Sequence, residues 1–308
     1  MAGQTIGANI NEIWLGYLLN GNSFPSGSEG TYNSSANQLT PQEVNNQKGR
    51  AEAQRDIFLQ YLYTNNLGSP TAAYWTARPG TITSIVGYEV DQDKNPTDVL
   101  VTLTTGRFYG ISAKSTQAGG TGFKNPGLGT IEKSLFIRQT PFSDAIENKL
   151  QEVKNAYSDL NLENAIDRKA VLENINNRQM KDDVYRDYGD PLYNELRTIL
   201  FNRMRQMDPW EYNQFLGSEL MNEDEETMRL PYVKITGSGG SGTNFTARLY
   251  DPIRDSIARK IAQNGATFRI ASGSQNLVEI HSQGQKQFTM RFKWSSTYFG
   301  SSMKFEAK

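Results

Sequence analysis
Apolar residues recur at helical spacing near the start of the chain. Ile10, Ile13, Trp14, Tyr17 and Leu18 line one face of a helix predicted over Asn9–Leu19. Asn22 to Gln38 is rich in Gly, Ser and Asn and reads as a loop. Thr40-Pro41-Gln42-Glu43 is a helix start: a threonine cap, a proline in the first turn and a glutamate three residues after the cap. That helix is predicted to run to Asn65. A strand is predicted over Thr81–Val90, and the polar turn Asp91–Pro96 follows it.

The most informative pattern is NPTDVLVTLTTGRFYGISAKST, Asn95 to Thr116. Asp98–Leu103 and Phe108–Lys114 are strand-like runs separated by Thr104-Thr105-Gly106. A three-residue hairpin loop ends on a residue in the left-handed region, and Gly106 suits that position. The register then pairs Leu103 with Arg107 and Asp98 with Ser112. Residues directly opposite share a face, so Asp98, Ser112 and Lys114 stand together while Val99, Val101, Ile111 and Ala113 face the core. A carboxylate, a hydroxyl and an ammonium on one face suggest a metal and phosphate site.

Pro96-Thr97-Asp98, a hairpin, and then Ser112-Ala113-Lys114 resembles the signature of the PD-(D/E)xK nucleases, the restriction-endonuclease-like superfamily. That signature places an acid at the start of one strand and acid-x-lysine on the next. Here Ser112 replaces the second acid, and Thr97 stands between the proline and Asp98. The match covers a short part of the chain. The resemblance implies an α/β (α+β) fold, with a central mixed sheet flanked by helices in an αβββαβ core, plus a helical insertion. It also implies a Mg²⁺-dependent DNA endonuclease of restriction or homing type, with Mn²⁺ as an alternative ion. Asp98 and the main-chain carbonyl of Ala113 are then metal ligands, and Lys114 positions the attacking water and offsets charge. Ser112 holds a metal-bound water. The missing carboxylate is sought first at Glu12, because the superfamily often directs a glutamate from its first helix into the site. Glu52 and Glu132 come next.

Composition narrows the chemistry further. The chain has no cysteine and one histidine, His281, which excludes thiol nucleophiles, zinc-cysteine sites and nucleases that need several histidines. His281 lies in an alternating run and reads as a strand-edge residue. Hydrolysis then rests on carboxylates, lysine and a hard cation. No run of apolar residues is long enough for a membrane span, and the N-terminus does not look like a signal peptide. A cytoplasmic enzyme from a bacterium or a phage-infected host is expected.

The net charge of −1 hides an asymmetry. Residues 1–140 hold 10 basic and 10 acidic side chains, residues 141–228 hold 10 and 19, and residues 229–308 hold 12 and 4. These segments mark the expected organisation: the N-terminal part of the core, an acidic helical insertion, and a basic C-terminal part completing the core. Ile131 to Leu220 is helical by pattern, Gln117–Gly129 and Thr236–Asn244 read as loops, and a helix is predicted from Asp251-Pro252 to Gln263. Strands are predicted at Thr267–Ala271, Leu277–His281 and Phe288–Trp294.

Double-stranded DNA is the expected partner. Lys124, Arg254, Arg259, Lys260, Arg291 and Lys293 are the expected contacts, the last two sharing one face of a strand whose Phe292 and Trp294 turn inward. A homodimer is the arrangement that cutting both strands often calls for. The rival expectation is a non-catalytic nucleic-acid-binding or phage structural protein on the same fold.

Overall fold
The computed structural model describes residues 2–77, 80–92, 94–116, 124, 126–158, 175, 181–240, 242–294 and 302–307. The chain is mixed α/β and divides into two compact units. One contains Met1–Gly122 and Asn222–Ile257, the other Phe123–Met221 and Ala258–Lys308.

The first unit is built on a mixed five-stranded sheet. Helices α1 (Ala2–Leu19), α2 (Glu29–Ala36) and α3 (Pro41–Thr64) precede strand β1 (Pro70–Trp75). A short helix α4 (Thr81–Val86) leads to β2 (Val99–Leu103) and β3 (Phe108–Thr116). Strands β4 (Tyr232–Ser238) and β5 (Thr246–Tyr250) complete the sheet in the order β1-β2-β3-β4-β5. Only β3 and β4 are parallel; the other neighbours are antiparallel.

Each element follows from its residues. Thr40 and Glu43 form the reciprocal cap at the start of α3 that the sequence predicts, with the Thr40 N–H donating to Glu43 Oε2 at 2.8 Å. In the β2–β3 hairpin Val99 pairs with Ile111, and the Leu103 N–H donates to Arg107 O at 2.9 Å. Gly106 closes the loop at φ +74°, the left-handed position that fixes this register. Val99, Val101, Ile111 and Ala113 are buried with Leu15, Ala51 and Phe58. The opposite face is also covered, where Leu100 packs with Ile82, Val90 and Leu230.

Four sequence expectations are corrected here. Thr81–Val86 is helical rather than part of a strand, because burial of Ile82 against Leu100 and Val90 outweighs β-branched propensity. Asn22–Gln38 is not all loop, since α2 forms within it and buries Tyr32 against α1. Thr236–Ser238, expected in a loop, extends β4. The helix expected from Asp251 to Gln263 is broken at Ser256, which leaves Pro252–Asp255 and Ile257–Asn264. The Ser256 hydroxyl there bonds the Glu223 carboxylate at 2.5 Å.

In the second unit, helices α5 (Leu128–Leu135), α6 (Pro141–Ala156), α7 (Asp190–Gln206), α8 (Pro209–Phe215) and α9 (Ile257–Asn264) accompany a four-stranded antiparallel sheet. Its strands are β6 (Thr267–Ile270), β7 (Leu277–Ser282), β8 (Gln285–Trp294) and β9 (Met303–Ala307). Phe142, Phe292 and Phe305 meet edge to face in its core. The basic segment from residue 229 is therefore divided: β4 and β5 add to the first sheet, and β6–β9 form the second. Residues 117–123 of the glycine-rich stretch and 159–174 of the acidic segment lie outside the described residues. Among the described residues no helix is long and apolar enough to cross a membrane.

Candidate active site
Asp98 is fixed by its backbone before its side chain acts. Its N–H donates to Ile111 O at 2.9 Å, and its carbonyl accepts the Thr76 N–H at 3.1 Å. The preceding turn is held by Asn95, which donates to Thr227 O at 2.8 Å and accepts the Thr97 N–H at 3.1 Å. Thr97 crosses β3 at Gly110, where a Cβ would fall 2.1 Å from Thr97 Oγ1. Only glycine permits that approach.

The carboxylate of Asp98 turns toward the end of β3. Oδ2 accepts the Ala113 N–H at 2.8 Å and lies 3.6 Å from Lys114 Nζ, and the Ser112 hydroxyl also bonds Asp98. Ser112 is buried, so its hydroxyl orients Asp98 instead of facing solvent. Lys114 is half exposed and open to an incoming ligand. In an extended strand a residue's N–H and C=O point to the same side. The Ala113 carbonyl thus faces the side on which Asp98 stands.

Glu12 reaches this cluster from α1. Its Oε2 accepts from Trp75 Nε1 at 3.1 Å. Burial, and next the charge of Asp98, push Glu12 up to about 8, against the opposing pull of the Trp75 hydrogen bond and Lys114. Asp98 is also raised, because burial outweighs Lys114, the Ala113 N–H and Ser112. Burial thus favours the neutral form of both carboxyls, and the charge of Asp98 adds to that effect at Glu12.

That arrangement fits a hard divalent cation. Mg²⁺ is held by one or two carboxylates, waters and substrate phosphate rather than by a protein cage. Among the described residues no group of three or more His, Cys, Asp or Glu is placed to hold a metal. Glu12, Asp98 and the Ala113 carbonyl are the oxygens that could form part of such an ion's shell.

The other sequence candidates lie elsewhere. Glu52 is exposed on α3, whose Arg50 and Gln54 are buried. Glu132 is buried and caps α6, accepting the N–H groups of Phe142 and Ser143 at 2.6 and 2.9 Å and the Ser143 hydroxyl at 2.5 Å. Glu132→Gln is expected to lower the melting temperature through loss of about 1–2 kcal/mol of capping energy. Any activity per folded molecule should persist, which a thermal melt paired with an activity assay checks.

His281 is nearly buried and bonds Glu279 at 2.8 Å, with no serine bonded to it among the described residues. Of the expected DNA contacts, Lys124 donates to Ser218 O at 2.8 Å, and Arg254 lies 3.6 Å from Asp251. Arg259 and Lys260 are exposed on α9. Arg291 and Lys293 share a face, as the alternation predicts, with Phe292 and Trp294 buried behind them. Both cations approach Glu306, Arg291 Nε at 2.5 Å and Lys293 Nζ at 3.9 Å.

The polar face of α3 gives no signal in the sequence, yet it supports the site. Gln54 Nε2 donates to the carbonyls of Lys114 and Ile235 at 2.9 and 3.0 Å, tying that helix to the site-bearing strand. A scan against protein-family models and searches of curated proteins and solved structures found no match to this chain.

Proposed function
We propose that this protein is a Mg²⁺-dependent DNA endonuclease on a restriction-endonuclease-like core, with Mn²⁺ as a substitute ion. The observation that carries the reading is the meeting of Glu12, Asp98 and Lys114 at one end of the β2–β3 hairpin. Ser112 brings no carboxyl where the nuclease signature has an acid, and Glu12 brings one from the first helix. An antiparallel run of three strands followed by a strand parallel to the third also suits the resembled core.

Glu12, Asp98 and the Ala113 carbonyl would hold the cation. When bound, it supplies a water made nucleophilic near neutral pH and offsets phosphate charge. Asp98 is locked in place by the Ala113 N–H and Ser112. Trp75 fixes the carboxylate of Glu12. Lys114, ion-paired yet half exposed, directs its ammonium at the scissile phosphate and stabilises the negative charge that builds there. Its role in this reading is charge stabilisation.

Lys114→Met tests this division of labour. Plasmid cleavage in Mg²⁺ should slow by about 10²–10³, while divalent-ion affinity, measured by calorimetry, holds or improves. Undiminished cleavage would remove Lys114 from the chemistry.

A further inference from the structure
Arg50 is a buried cation with no anionic partner among the described residues. It stands on α3 at 4% exposure. Its Nε donates to Gly239 O at 2.8 Å and its Nη1 to Ser115 Oγ at 3.1 Å. Both acceptors are neutral, and among the described residues no carboxylate pairs with the guanidinium. Burying a charge is costly unless a counter-charge arrives. The arginine still has donors to offer, because Nη2 makes no hydrogen bond among the described residues.

Those donors converge with another at one glycine. The Cβ position of Gly240 lies 3.8 Å from Arg50 Nη2 and 3.8 Å from Asn46 Nδ2. Asn46 Oδ1 already accepts from Gln42 Nε2 at 3.2 Å, which leaves its Nδ2 as a donor. Gly240 itself carries no side chain to stand beside both groups. Ser115, which Arg50 grips, directly follows Lys114 on β3, so the donors are fixed to the same strand end as the candidate active site.

We infer that Arg50 Nη2 and Asn46 Nδ2, gathered at Gly240, form a phosphate-binding subsite that holds a backbone phosphate next to the one cleaved. A guanidinium nitrogen beside an amide donor suits an anion with several acceptor oxygens. The identity of the ligand as nucleic-acid backbone rests on the endonuclease reading; the anion site does not.

Two measurements test it. In wild-type protein labelled with ¹⁵N-arginine, inorganic phosphate at constant ionic strength should move the Arg50 Nε–H resonance, assigned by its loss in Arg50→Lys. In metal-free buffer, Arg50→Gln should flatten the plot of log affinity for duplex DNA against log salt by about 0.9. Arg50→Lys should keep that slope and bind several-fold more weakly.

An Arg50 resonance indifferent to phosphate overturns the anion site, whether or not Arg50→Gln folds. A phosphate response with an unchanged DNA slope overturns the backbone assignment. A response to phosphate in a protein that never cuts DNA sinks the endonuclease reading and leaves the anion site standing. Cleavage that depends on Lys114, with Arg50 indifferent, does the reverse.

Discussion

Glu12→Gln is expected to abolish Mg²⁺-dependent cleavage and, in metal-free buffer at alkaline pH, to make the protein more stable. Glutamine keeps the acceptor that Trp75 Nε1 needs and removes the charge that Asp98 opposes. The sign follows from the protons bound. A carboxyl raised from 4.5 to about 8 holds a proton in the folded state that the unfolded state has lost. Its contribution to stability is present below 4.5 and is lost as pH rises through about 8. Every tenfold difference in proton affinity between folded and unfolded chain is worth about 1.4 kcal/mol, or about 3–6 °C in melting temperature for a domain of the first unit's size. Melting curves across pH in a chelator should show wild type falling and Glu12→Gln holding level, with Mg²⁺ restoring wild type. Parallel curves would mean that the Glu12 charge is not buried beside Asp98.

Asp98→Asn is expected to reduce cleavage by at least about 10³, more than a single lost donor costs, because the cation loses a direct ligand. Asparagine keeps an oxygen for the Ala113 N–H, so the hairpin should fold unchanged. DNA binding in metal-free buffer should remain within a few-fold of wild type, because no lysine or arginine is altered. Loss of cleavage together with binding would point to a collapsed strand end. Circular dichroism and a melt would expose that.

The β2–β3 hairpin is legible in the sequence because two strand-like apolar runs around one left-handed glycine specify a register locally. The start of α3 is legible for the same kind of reason, since its cap lies within four residues. Glu12 can be placed on the first helix from the sequence, but its approach to Asp98 depends on how α1 packs, which no local pattern encodes. The burial of Ser112 is not legible, because the covering of the second sheet face by Ile82, Val90 and Leu230 comes from distant segments. Strand β1, Pro-Thr-Ala-Ala-Tyr-Trp, lacks a run of β-branched residues and leaves no strand pattern. Arg50, Gln54 and Asn46 look like ordinary polar helix residues. Their significance depends on the glycine-bearing strand β4 and the loop after it, which meet α3 from 180 residues or more away.

Supercoiled plasmid tests most directly whether a cation held at Glu12 and Asp98 promotes hydrolysis of DNA. Wild-type protein and Asp98→Asn should be incubated with plasmid over a Mg²⁺ series and in chelator. The expected result is nicked and linear DNA from wild type in Mg²⁺ alone, with none from Asp98→Asn. Cleavage that survives chelation, or Asp98→Asn cutting at the wild-type rate, would contradict it.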